Sequence, residues 1–402
     1  MDFSLPEDTL MIRDMTRRFV KEELIPLERE VIERESNRGM GDAPILTKEM
    51  EDHLSAKSSE IGLWGIDVEE RFGGHDLGAL VKCVVMEQMY YSITPFILPP
   101  DSPNLLFLSE CCKGDQIERY LLPYAKGEKK SCLALTEAGA GADAAGIKTS
   151  AVQREDGKWV INGSKMWISG AKTVDFMIVV ALTDATKGTR GGMTAFLVDR
   201  ETPGVSVPSD FAMIGGPFHP YAVDFDDVIL DDNQRLGEIG NAFIPLQKRL
   251  GIRRMETSCW CIGYAQRCLD MMIEQAKERV TFGKPLADRQ TIQWWIADSY
   301  QELEMVRLAT YKLAWQLDQP QVDEKQTDIR RGASMVKVQA TEMATRVIDR
   351  AIQLFGGMGL SKEMPFEFML RTVRTLRVVE GPSEIHRWTI ARDILRNGRP
   401  DS

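Results

Sequence analysis

The chain has little of what a metal site needs. It contains only four histidines, and no two of its seven cysteines form a C-x-x-C pair. The cysteines are Cys83, Cys111, Cys112, Cys132, Cys259, Cys261 and Cys268. Zinc sites usually combine such residues at short, regular spacings. The sequence therefore predicts no metal site, and the scattered cysteines are typical of reduced thiols in a reducing compartment.

The chain also lacks an excess of positive charge and a long apolar run. Its 50 lysines and arginines are outnumbered by 60 aspartates and glutamates, which gives a net charge of −10. Nucleic-acid binders normally present a basic face, so that class is disfavoured. No segment approaches the roughly 18 consecutive apolar residues that span a bilayer, and the first residues show no signal-peptide or transit-peptide pattern. We expect no nucleic-acid partner, no membrane and a cytoplasmic protein, with a mature mitochondrial form left open.

Three blocks of different pattern follow one another along the 402 residues. Residues 1–130 are typical of helices, residues 131–240 of β-strands separated by turns, and residues 241–402 of helices again. The sequence predicts a mainly α protein with an inserted β domain. Its parts are an N-terminal helical domain, a middle antiparallel β barrel or sandwich, and a C-terminal domain resembling a four-helix bundle.

Individual elements can be predicted inside these blocks. Residues 155–158, Glu-Asp-Gly-Lys, separate two apolar segments and indicate a hairpin. Residues 176–182, 194–198 and 221–230 are predicted strands. A long buried helical stripe is predicted from residues spaced three or four apart, namely Val336, Ala340, Met343, Val347, Ala351 and Leu354. It should end at Gly356-Gly357.

Glu380 is the strongest candidate for a catalytic group. It follows the apolar run Leu376-Arg377-Val378-Val379 and precedes Gly381-Pro382, which force a turn before a further helical stretch. A carboxylate at the end of a rigid element, with no partner in the local sequence, is presented to a cavity as a general base would be. A helix cap is the alternative interpretation.

Two segments of the β block are candidates for binding a flat or phosphorylated ligand. Residues 136–143, Thr-Glu-Ala-Gly-Ala-Gly-Ala-Asp, follow an apolar run, and their small side chains allow close approach to main-chain N–H groups. Residues 165–170 end a strand with Trp167 and Ser169 two positions apart, and hence on one face. The first segment is neither a dinucleotide-binding turn within a βαβ unit nor a P-loop. A flexible turn and an ordinary tryptophan remain the alternatives.

Two cationic segments lie in the last block. Residues 279–285, Arg-Val-Thr-Phe-Gly-Lys-Pro, interrupt a helical pattern, and such a loop can bind pyrophosphate through arginine and stack an adenine on phenylalanine. Arg253 and Arg254 form a pair of positive charges shortly before Trp260. A solvated basic face is the usual explanation of such a pair.

These segments, in this order along a helix–β–helix chain, resemble the acyl-CoA dehydrogenase family of flavoproteins. The resemblance covers nearly the whole chain. It is carried by IGLWGI (61–66), FGG (72–74), TEAGAGAD (136–143), NGSKMWIS (162–169), FDDV (225–228), RVTFG (279–283), QLFGGMG (353–359) and VEG (379–381). Each stretch is short, and their joint occurrence in this order identifies the family.

The resemblance implies FAD, held between the β domain and the C-terminal bundle. The implied cofactor-binding residues are Leu133, Leu135, Thr136, Gly141, Ala142, Trp167, Ile168, Ser169, Arg279, Thr281, Phe282, Gln290, Gln353, Gly356, Gly357, Pro382 and Glu384. Those of the β block would contact the isoalloxazine, with the Ser169 hydroxyl toward N5, and those of residues 279–290 would meet the pyrophosphate and adenosine. Residues 353–357 would come from a neighbouring subunit, which implies a homotetramer, with a homodimer as the alternative.

The resemblance also implies an acyl-CoA substrate lying between FAD and Glu380. Glu380 would remove a proton from Cα while Cβ delivers a hydride to flavin N5, giving a trans-2-enoyl-CoA. The implied substrate-binding residues are Ala142, Arg253, Arg254 and Gly381. Some branched-chain members carry their catalytic glutamate on the helix of Arg253, but no glutamate occupies that register here.

Three positions depart from the family pattern. Ala142 stands where many members have serine, Pro382 where they have threonine, and Glu384 where they have glutamine. The leading prediction is an acyl-CoA dehydrogenase that passes electrons to an electron-transfer flavoprotein. The alternatives are an acyl-CoA oxidase, a flavin-dependent enoyl-CoA reductase, and a non-catalytic FAD- or acyl-CoA-binding protein on the same scaffold. The sequence does not define the acyl group.

Overall fold

The computed structural model describes residues 4–319 and 327–398. Within them, helices precede and follow a block of strands, which confirms the predicted fold class. The last helix before the sheet ends at Ala125 and the first strand begins at Ser131; the last strand of the sheet ends at Leu236 and the next helix begins at Phe243. The exact domain limits stay a prediction, and their outer ends, residues 1 and 402, lie outside the described residues.

The N-terminal block consists of six α-helices joined by short turns. They are α1 (Glu7–Phe19), α2 (Glu28–Arg38), α3 (Lys48–Glu60), α4 (Gly78–Met89), α5 (Ser102–Cys111) and α6 (Leu122–Ala125). The π-helical turns Val20–Leu24 and Ile117–Leu121 and the 3-10 turns Ile25–Leu27 and Glu70–Phe72 connect them. The start of α4 is tied to the C-terminal block, because the Asp318 carboxylate accepts from the main-chain N–H groups of Ala79 and Leu80 at 2.6 and 3.0 Å.

The middle block is one eight-stranded sheet. Its strands are β1 (Ser131–Ala134), β2 (Ser150–Gln153), β3 (Trp159–Ser169), β4 (Phe176–Leu182), β5 (Met193–Asp199), β6 (Val205–Ser206), β7 (Pro220–Leu230) and β8 (Arg235–Leu236). A 3-10 turn, Ala144–Gly146, precedes β2, and another, Asp232–Gln234, precedes β8. The order is β6-β7-β3-β2-β4-β5-β8, with β1 against β4. The predicted hairpin is the antiparallel β2–β3 pair.

One pairing in the sheet was not predicted. β1 runs parallel to β4, with Ser131 opposite Phe176 and Ala134 opposite Val179, whereas the other long pairs are antiparallel. A parallel pair requires a crossover between its strands. The turn at residues 136–143 and the β2–β3 hairpin form that crossover here. The turn therefore leaves the sheet directly after β1.

The C-terminal block is a helical bundle. Its helices are α7 (Phe243–Glu278), α8 (Gln290–Leu317), α9 (Thr327–Phe355), α10 (Phe366–Leu376) and α11 (Ser383–Asn397). A hairpin, β9 (Val280–Thr281) with β10 (Lys284–Pro285), and a 3-10 turn, Leu286–Asp288, join α7 to α8, and a second 3-10 turn, Gly356–Leu360, follows α9. The predicted stripe on α9 is confirmed, because none of its six residues is more than 7% exposed. α9 ends just before Gly356, whose φ of 61° is typical of a helix C-cap.

The cores connect the three blocks. One apolar cluster joins α1 to α4 with α7, α9 and α10, and two others cover the two faces of the sheet. A fourth joins α4, α7, α8 and α9 around Tyr90, Met255 and Leu313. α7 contributes to three of the four, so its side chains are positioned relative to both the N-terminal helices and the sheet. No helix among residues 4–319 and 327–398 is long and apolar enough to cross a membrane.

Candidate active site

Glu380 lies in a tight turn between α10 and α11. The N–H groups of Val378 and Val379 both donate to the carbonyl of Thr375, at 2.9 and 3.2 Å. Glu380 then adopts a φ of 57°, a left-handed conformation that is rare for a residue with a side chain. Such conformations cost about 1–3 kcal/mol and persist only where the surroundings hold them.

Three side chains hold this turn by its carbonyl oxygens. Arg254 on α7 donates from Nε to the Glu380 oxygen at 3.1 Å, and His386 Nε2 on α11 lies 3.2 Å from the same atom. Lys337 on α9 donates from Nζ to the Gly381 oxygen at 2.7 Å. Three helices therefore determine where Glu380 lies, which explains how its conformation is maintained.

His386 acts as a neutral hydrogen-bonding residue in this arrangement. Burial and the nearby charges of Arg254 and Lys337 lower its pKa to about 3. Because a carbonyl only accepts, Nε2 carries the proton, and Nδ1 accepts from the Ser334 hydroxyl at 3.1 Å. His386 is therefore uncharged at neutral pH and holds the Glu380 turn through hydrogen bonds.

The carboxylate of Glu380 is 20% exposed and is weakly engaged. Its closest cation is Arg249, whose Nη1 lies 3.5 Å from Oε2. Across the described part of the chain, no hydrogen bond is made by either carboxylate oxygen or by the main-chain N–H of Glu380. The turn thus presents a hydrogen-bond acceptor, the Glu380 carboxylate, next to a hydrogen-bond donor, the main-chain N–H of the same residue.

Five residues, of which Lys82 and Glu256 are buried and the others partly buried, form a charge cluster next to Glu380: Asp67, Lys82, Asp101, Arg253 and Glu256. Lys82 contacts the carboxylates of Asp67 and Glu256 at 2.6 and 2.5 Å. Arg253 contacts Asp101 at 2.5 Å and Glu256 at 2.9 Å. Burial opposes the charge on Asp101, but Arg253 and Arg249 outweigh it and lower the pKa of that carboxyl. Each of the two cations in the cluster is neutralised by two carboxylates.

This cluster bears on two sequence predictions. Arg253, predicted to bind substrate, lies between two carboxylates, so its guanidinium is already paired. Glu256, which is 4% exposed, contacts Lys82 and Arg253 and is not free to act as a second base. Glu380 therefore remains the carboxylate best placed for proton transfer.

A cavity of about 1060 Å³ opens between α4, α5, α7, α9 and α11. Its inner part is lined by Lys82, Arg254 and Met255, and its middle by apolar residues such as Leu105 and Ile252. Because Arg254 also donates to the Glu380 carbonyl oxygen, the cavity leads to the turn that contains Glu380. The volume is at the upper end of the about 300–1,000 Å³ that is usual for ligand pockets.

The outer part of the cavity carries three arginines, Arg330, Arg392 and Arg396. None of them has a carboxylate within ion-pair distance among the described residues. The nearby carboxylate of Asp393 pairs with Arg331. Arg392 lies 4.0 Å above the ring of Trp388 instead. We call these three the rim arginines. Unpaired guanidinium groups at the mouth of a cavity are suited to binding phosphate.

The two β-block segments predicted to bind a flat ligand form one surface. Met166 donates from its N–H to the Thr136 oxygen at 2.8 Å, which joins the turn after β1 to the end of β3. Trp167 is 48% exposed with a φ of 64°, Ile168 is 3% exposed, and Ser169 is exposed again. Trp167 and Ser169 are thus both exposed on either side of Ile168. The strand is irregular here, with a register shift between Lys165 and Ile168, and a common face of the two side chains stays a prediction.

A buried ion pair supports this surface from below. Lys165 is fully buried and donates to the Leu135 oxygen at 3.0 Å and to the Glu137 carboxylate at 2.8 Å. Glu137 also accepts from the N–H groups of Lys148 and Thr149 at 2.7 and 3.0 Å. Burial lowers the pKa of Lys165, and Glu137 partly offsets this. A Cβ at Gly139 or Gly141 would meet no atom within 4 Å, so the turn above the pair is open to a ligand.

The remaining predicted cofactor residues lie elsewhere. Phe282 is 99% exposed at the tip of the β9–β10 hairpin, where it and Gly283 have φ values of 49° and 76°. The tip is flanked by exposed Arg279, partly buried Thr281 and exposed Gln290. Exposed Gln353 lies in the last turn of α9, and exposed Gly356 and Gly357 follow that helix. The residues from Arg254 to the end of α7 at Glu278 span about 36 Å at 1.5 Å per residue. Ala142 is exposed in the turn after β1, whereas partly buried Leu133 packs against the core on one face of the sheet. Partly buried Pro382 caps α11, and exposed Glu384 lies in its first turn.

We expect Lys337 to make stability depend on alkaline pH. Burial is the main cause that lowers its pKa from 10.5 to about 8. Between these values the unfolded chain binds more protons than the folded one, so the free energy of unfolding should rise with pH, by about 1–3 kcal/mol. Urea unfolding at pH 7 and pH 10 tests this, with Lys337→Met as the comparison. Equal pH dependence in the two proteins would contradict the prediction.

Sequence reasoning missed several residues of this site: Lys82, Asp101, Arg249, Lys337, His386 and the rim arginines. Some signals were present. Arg249, Arg253 and Glu256 follow one another at helical spacing, which indicates one charged face. Lys337 directly follows Val336, a residue of the predicted buried stripe on α9. By contrast, Asp101 and Lys82 join the site only through tertiary packing, and no local pattern indicates this.

Comparisons with known proteins agree with this architecture. Three family descriptions match: the N-terminal domain of acyl-CoA dehydrogenase over residues 6–128, its middle domain over 132–228 and its C-terminal domain over 243–395. The chain is 47% identical to the (R)-benzylsuccinyl-CoA dehydrogenase of Thauera aromatica, covering 99% of this chain and 98% of that protein. It is 33% identical to the caffeyl-CoA reductase–Etf complex subunit CarC of Acetobacterium woodii, covering 97% and 99%.

A solved acyl-CoA dehydrogenase structure has the same fold as this chain. Butyryl-CoA dehydrogenase from Megasphaera elsdenii has a TM-score of 0.87 and 29% identity, covering 98% of this chain and 100% of that one. These findings confirm the resemblance noted in the sequence. The chain therefore belongs to the acyl-CoA dehydrogenase family of FAD-dependent oxidoreductases that act on CH–CH groups.

Proposed function

We propose that the protein removes the α-proton of an acyl-CoA thioester through Glu380 and forms the α,β-unsaturated thioester. The observation that carries this proposal is the pairing of two groups at one turn. The Glu380 carboxylate has no hydrogen-bond partner, and neither has its main-chain N–H, among the described residues. The carboxylate can accept the Cα proton while the N–H donates to the thioester carbonyl, where negative charge develops.

The residues that would hold FAD fit a flat, phosphorylated cofactor. The exposed side chains of Trp167 and Ser169, joined to the open turn around Gly139 and Gly141, offer a planar surface beside main-chain N–H groups. FAD, when bound, supplies an acceptor for the hydride that leaves Cβ. The protein's own part is to orient the thioester, to hold Glu380 in its left-handed turn and to exclude water from the acceptor side.

The hairpin and the end of α9 support an oligomeric site. The hairpin follows the end of α7, some 36 Å from Arg254 along the helix axis, so we infer that it and the end of α9 bind the cofactor of a neighbouring subunit. This differs from the sequence interpretation, in which only residues 353–357 came from the neighbour. The 99% exposed ring of Phe282 would be covered by such an assembly, for which we propose a homotetramer.

We propose that the cavity binds the CoA moiety of the substrate. Its mouth carries the rim arginines, which would bind the phosphates, and its apolar middle would hold the pantetheine arm. Arg254 lines its inner part and would orient the thioester end. Ala142 and Gly381 stay proposed substrate contacts on the same grounds of family resemblance.

Removing two rim arginines should weaken the binding of CoA thioesters only. For a protein with Arg392→Ala and Arg396→Ala, we expect KM for the CoA thioester to rise about 30-fold, since two lost charge-assisted contacts of about 1 kcal/mol each at an exposed site together contribute about 2 kcal/mol. KM for the matching N-acetylcysteamine thioester, which lacks the phosphates, should not change. Steady-state kinetics with both substrates checks this, with exposed Arg18→Ala as the control. An equal rise for both thioesters would contradict the phosphate role.

Aromatic acyl groups are the first to test. The 47% identical relative is named for a benzyl-bearing substrate. Trp260 lies one turn beyond Glu256 on α7, is stacked on Tyr90 with ring centroids 4.4 Å apart, and packs against Phe218 at 5.7 Å. This aromatic group beside the charge cluster is suited to a second ring.

Anaerobic titration of the FAD-loaded protein with a panel of thioesters tests the function. The panel holds benzylsuccinyl-CoA, butyryl-CoA and a long-chain acyl-CoA, and bleaching of the flavin absorbance is followed. We expect bleaching by the aromatic thioester first. No bleaching by any member would reject the proposed dehydrogenation.

Reoxidation of the bleached protein distinguishes the neighbouring activities. We propose an electron-transfer flavoprotein as the acceptor, because one relative is named as a subunit of a complex with Etf. Rapid reoxidation by that protein and slow reoxidation by air are expected; fast reoxidation by air would indicate an oxidase. The same relative is named a reductase, so the reverse reaction is tested as well. If the enoyl thioester oxidises the reduced flavin faster than the acyl thioester reduces the oxidised flavin, the reductase activity is favoured.

A further inference from the structure

Arg249 is a buried cation whose side chain is only partly used. It is 7% exposed, and its Nε donates to the Asn104 amide oxygen at 3.0 Å. Neither of its Nη groups has a hydrogen-bond acceptor in residues 4–319 and 327–398, and the Glu380 carboxylate at 3.5 Å is beyond good hydrogen-bond distance. Two hydrogen-bond donors of a largely buried guanidinium are therefore available to a ligand beside the Glu380 turn.

The two cations of the charge cluster are already neutralised. Lys82 and Arg253 each contact two carboxylates of the charge cluster. Asp101 also attracts Arg249, but its carboxylate is bound by Arg253 at 2.5 Å. For Arg249, the one carboxylate within ion-pair distance among the described residues is the base itself. When Glu380 takes up a proton, as the proposed function requires, that counter-charge disappears.

The side chain is oriented rather than loose. Asn104 accepts from Arg249 through Oδ1 and donates from Nδ2 to the Ser131 hydroxyl at 2.9 Å, so the amide is anchored to β1. The guanidinium is therefore held with its Nη edge toward Glu380. That edge can make two parallel hydrogen bonds to a carboxylate.

We propose that Arg249 binds a free carboxylate carried by the acyl group, so that the substrate is the CoA thioester of a dicarboxylic acid. This inference rests on the proposed function, since it takes Glu380 as the base at Cα. A general base approaches its proton to about 3 Å between heavy atoms. In a succinyl thioester the free carboxyl carbon is two bonds from Cα, and hence close to Glu380 as well. A group that touches Glu380 can therefore touch that carboxylate too.

The same geometry disfavours ordinary fatty acyl groups. In a straight-chain thioester, methylene groups would lie where the carboxylate lies in the succinyl compound. The Nη groups of Arg249 would then be buried against hydrocarbon without acceptors, which is unfavourable. Arg249 is thus a specificity-determining residue, and its effect should depend on the charge of the acyl group.

The test compares 2-benzylsuccinyl-CoA, as both regioisomers, with the methyl ester of its free carboxyl group, which has nearly the same shape and no charge. In the wild-type protein, the rate of flavin reduction should be about 100-fold higher with the acid than with the ester. In Arg249→Met the acid should lose about that factor while the ester changes by less than about 3-fold. Arg249→Lys should recover part of the preference. Equal losses for acid and ester in Arg249→Met, or no preference in the wild type, would overturn the proposal.

Binding gives a second readout that does not need turnover. FAD-loaded Glu380→Gln is titrated with both thioesters, and the shift of the flavin spectrum gives the dissociation constants. We expect the acid to bind about 10- to 100-fold more tightly than the ester. A preference for the acid without any flavin reduction in the wild type would reject the dehydrogenation and leave the carboxylate site standing. Equal binding would reject the site, and retained FAD absorbance in Arg249→Met shows that the variant is folded.

Discussion

A Glu380→Gln protein should bind FAD normally and reduce it about 10²- to 10⁴-fold more slowly with acyl-CoA than the wild type does, which is the range expected for loss of a general base. Glutamine has the same shape but cannot take up the Cα proton. The main-chain contacts from Arg254, His386 and Lys337 that hold the turn do not involve the carboxylate, so the turn should persist. Stopped-flow measurement of flavin bleaching gives the rate.

A second measurement separates proton transfer from hydride transfer. In deuterated water, the wild-type protein should exchange the Cα proton of a thioester that binds but is not oxidised, and Glu380→Gln should not. Glu274→Gln, an exposed carboxylate on α7 outside the site, serves as the control and should behave as the wild type. Normal turnover in Glu380→Gln would mean that another group is the base and would remove the proposed function.

Replacing Lys165 by methionine should destabilise the protein and weaken FAD binding together. The substitution leaves the Glu137 carboxylate, which is 9% exposed, without its counter-ion. Removing one partner of a buried ion pair typically lowers the free energy of unfolding by about 3–5 kcal/mol. The turn after β1 would also lose the hydrogen bond to the Leu135 oxygen, so the surface that we propose binds the flavin should lose its order. Urea unfolding and FAD titration measure the two effects.

Two further variants test whether loss of the buried ion pair causes the effects of Lys165→Met. Lys158, just before β3, pairs with Asp231 at the surface, with 47% and 62% of the side chains exposed. Lys158→Met should therefore change the free energy of unfolding by less than about 1 kcal/mol. Adding Glu137→Gln to Lys165→Met should restore part of the lost stability, because the uncompensated charge is removed. If Lys165→Met and Lys158→Met have equal effects, the buried pair does not support the site.

In the two proposals, acyl-group specificity and the catalytic step depend on different residues. Glu380, in the turn before α11, would accept the proton, whereas Arg249 on α7 would face the substituent next to Cα. A negative charge on that substituent would form an ion pair with Arg249 when Glu380 takes up the proton and becomes neutral. Family relatives that act on uncharged acyl groups would not need a buried arginine with free Nη groups at this position.

Much of the fold was open to prediction from the sequence. Hydrophobic periodicity over long segments, as on α9, indicates helices because packing buries one face, and turn residues such as Gly157 mark a hairpin. The parallel pairing of β1 with β4 was not predictable, because it joins segments some 45 residues apart through a crossover. The left-handed φ of Glu380 was equally hidden, since it is maintained by contacts from three other helices.

By itself, the sequence determined the order of helical and β blocks, the helix ends at glycine and the identity of the carboxylate after α10, because each depends on short-range propensity or on a local motif. Only the tertiary structure decided which cations are free. Arg253 looked available beside Arg254, yet packing pairs it with Asp101 and Glu256, and it leaves Arg249 with two unused donors facing the base. The electrostatic role of a charged side chain depends on its neighbours in space, and those neighbours lie on elements distant in the chain.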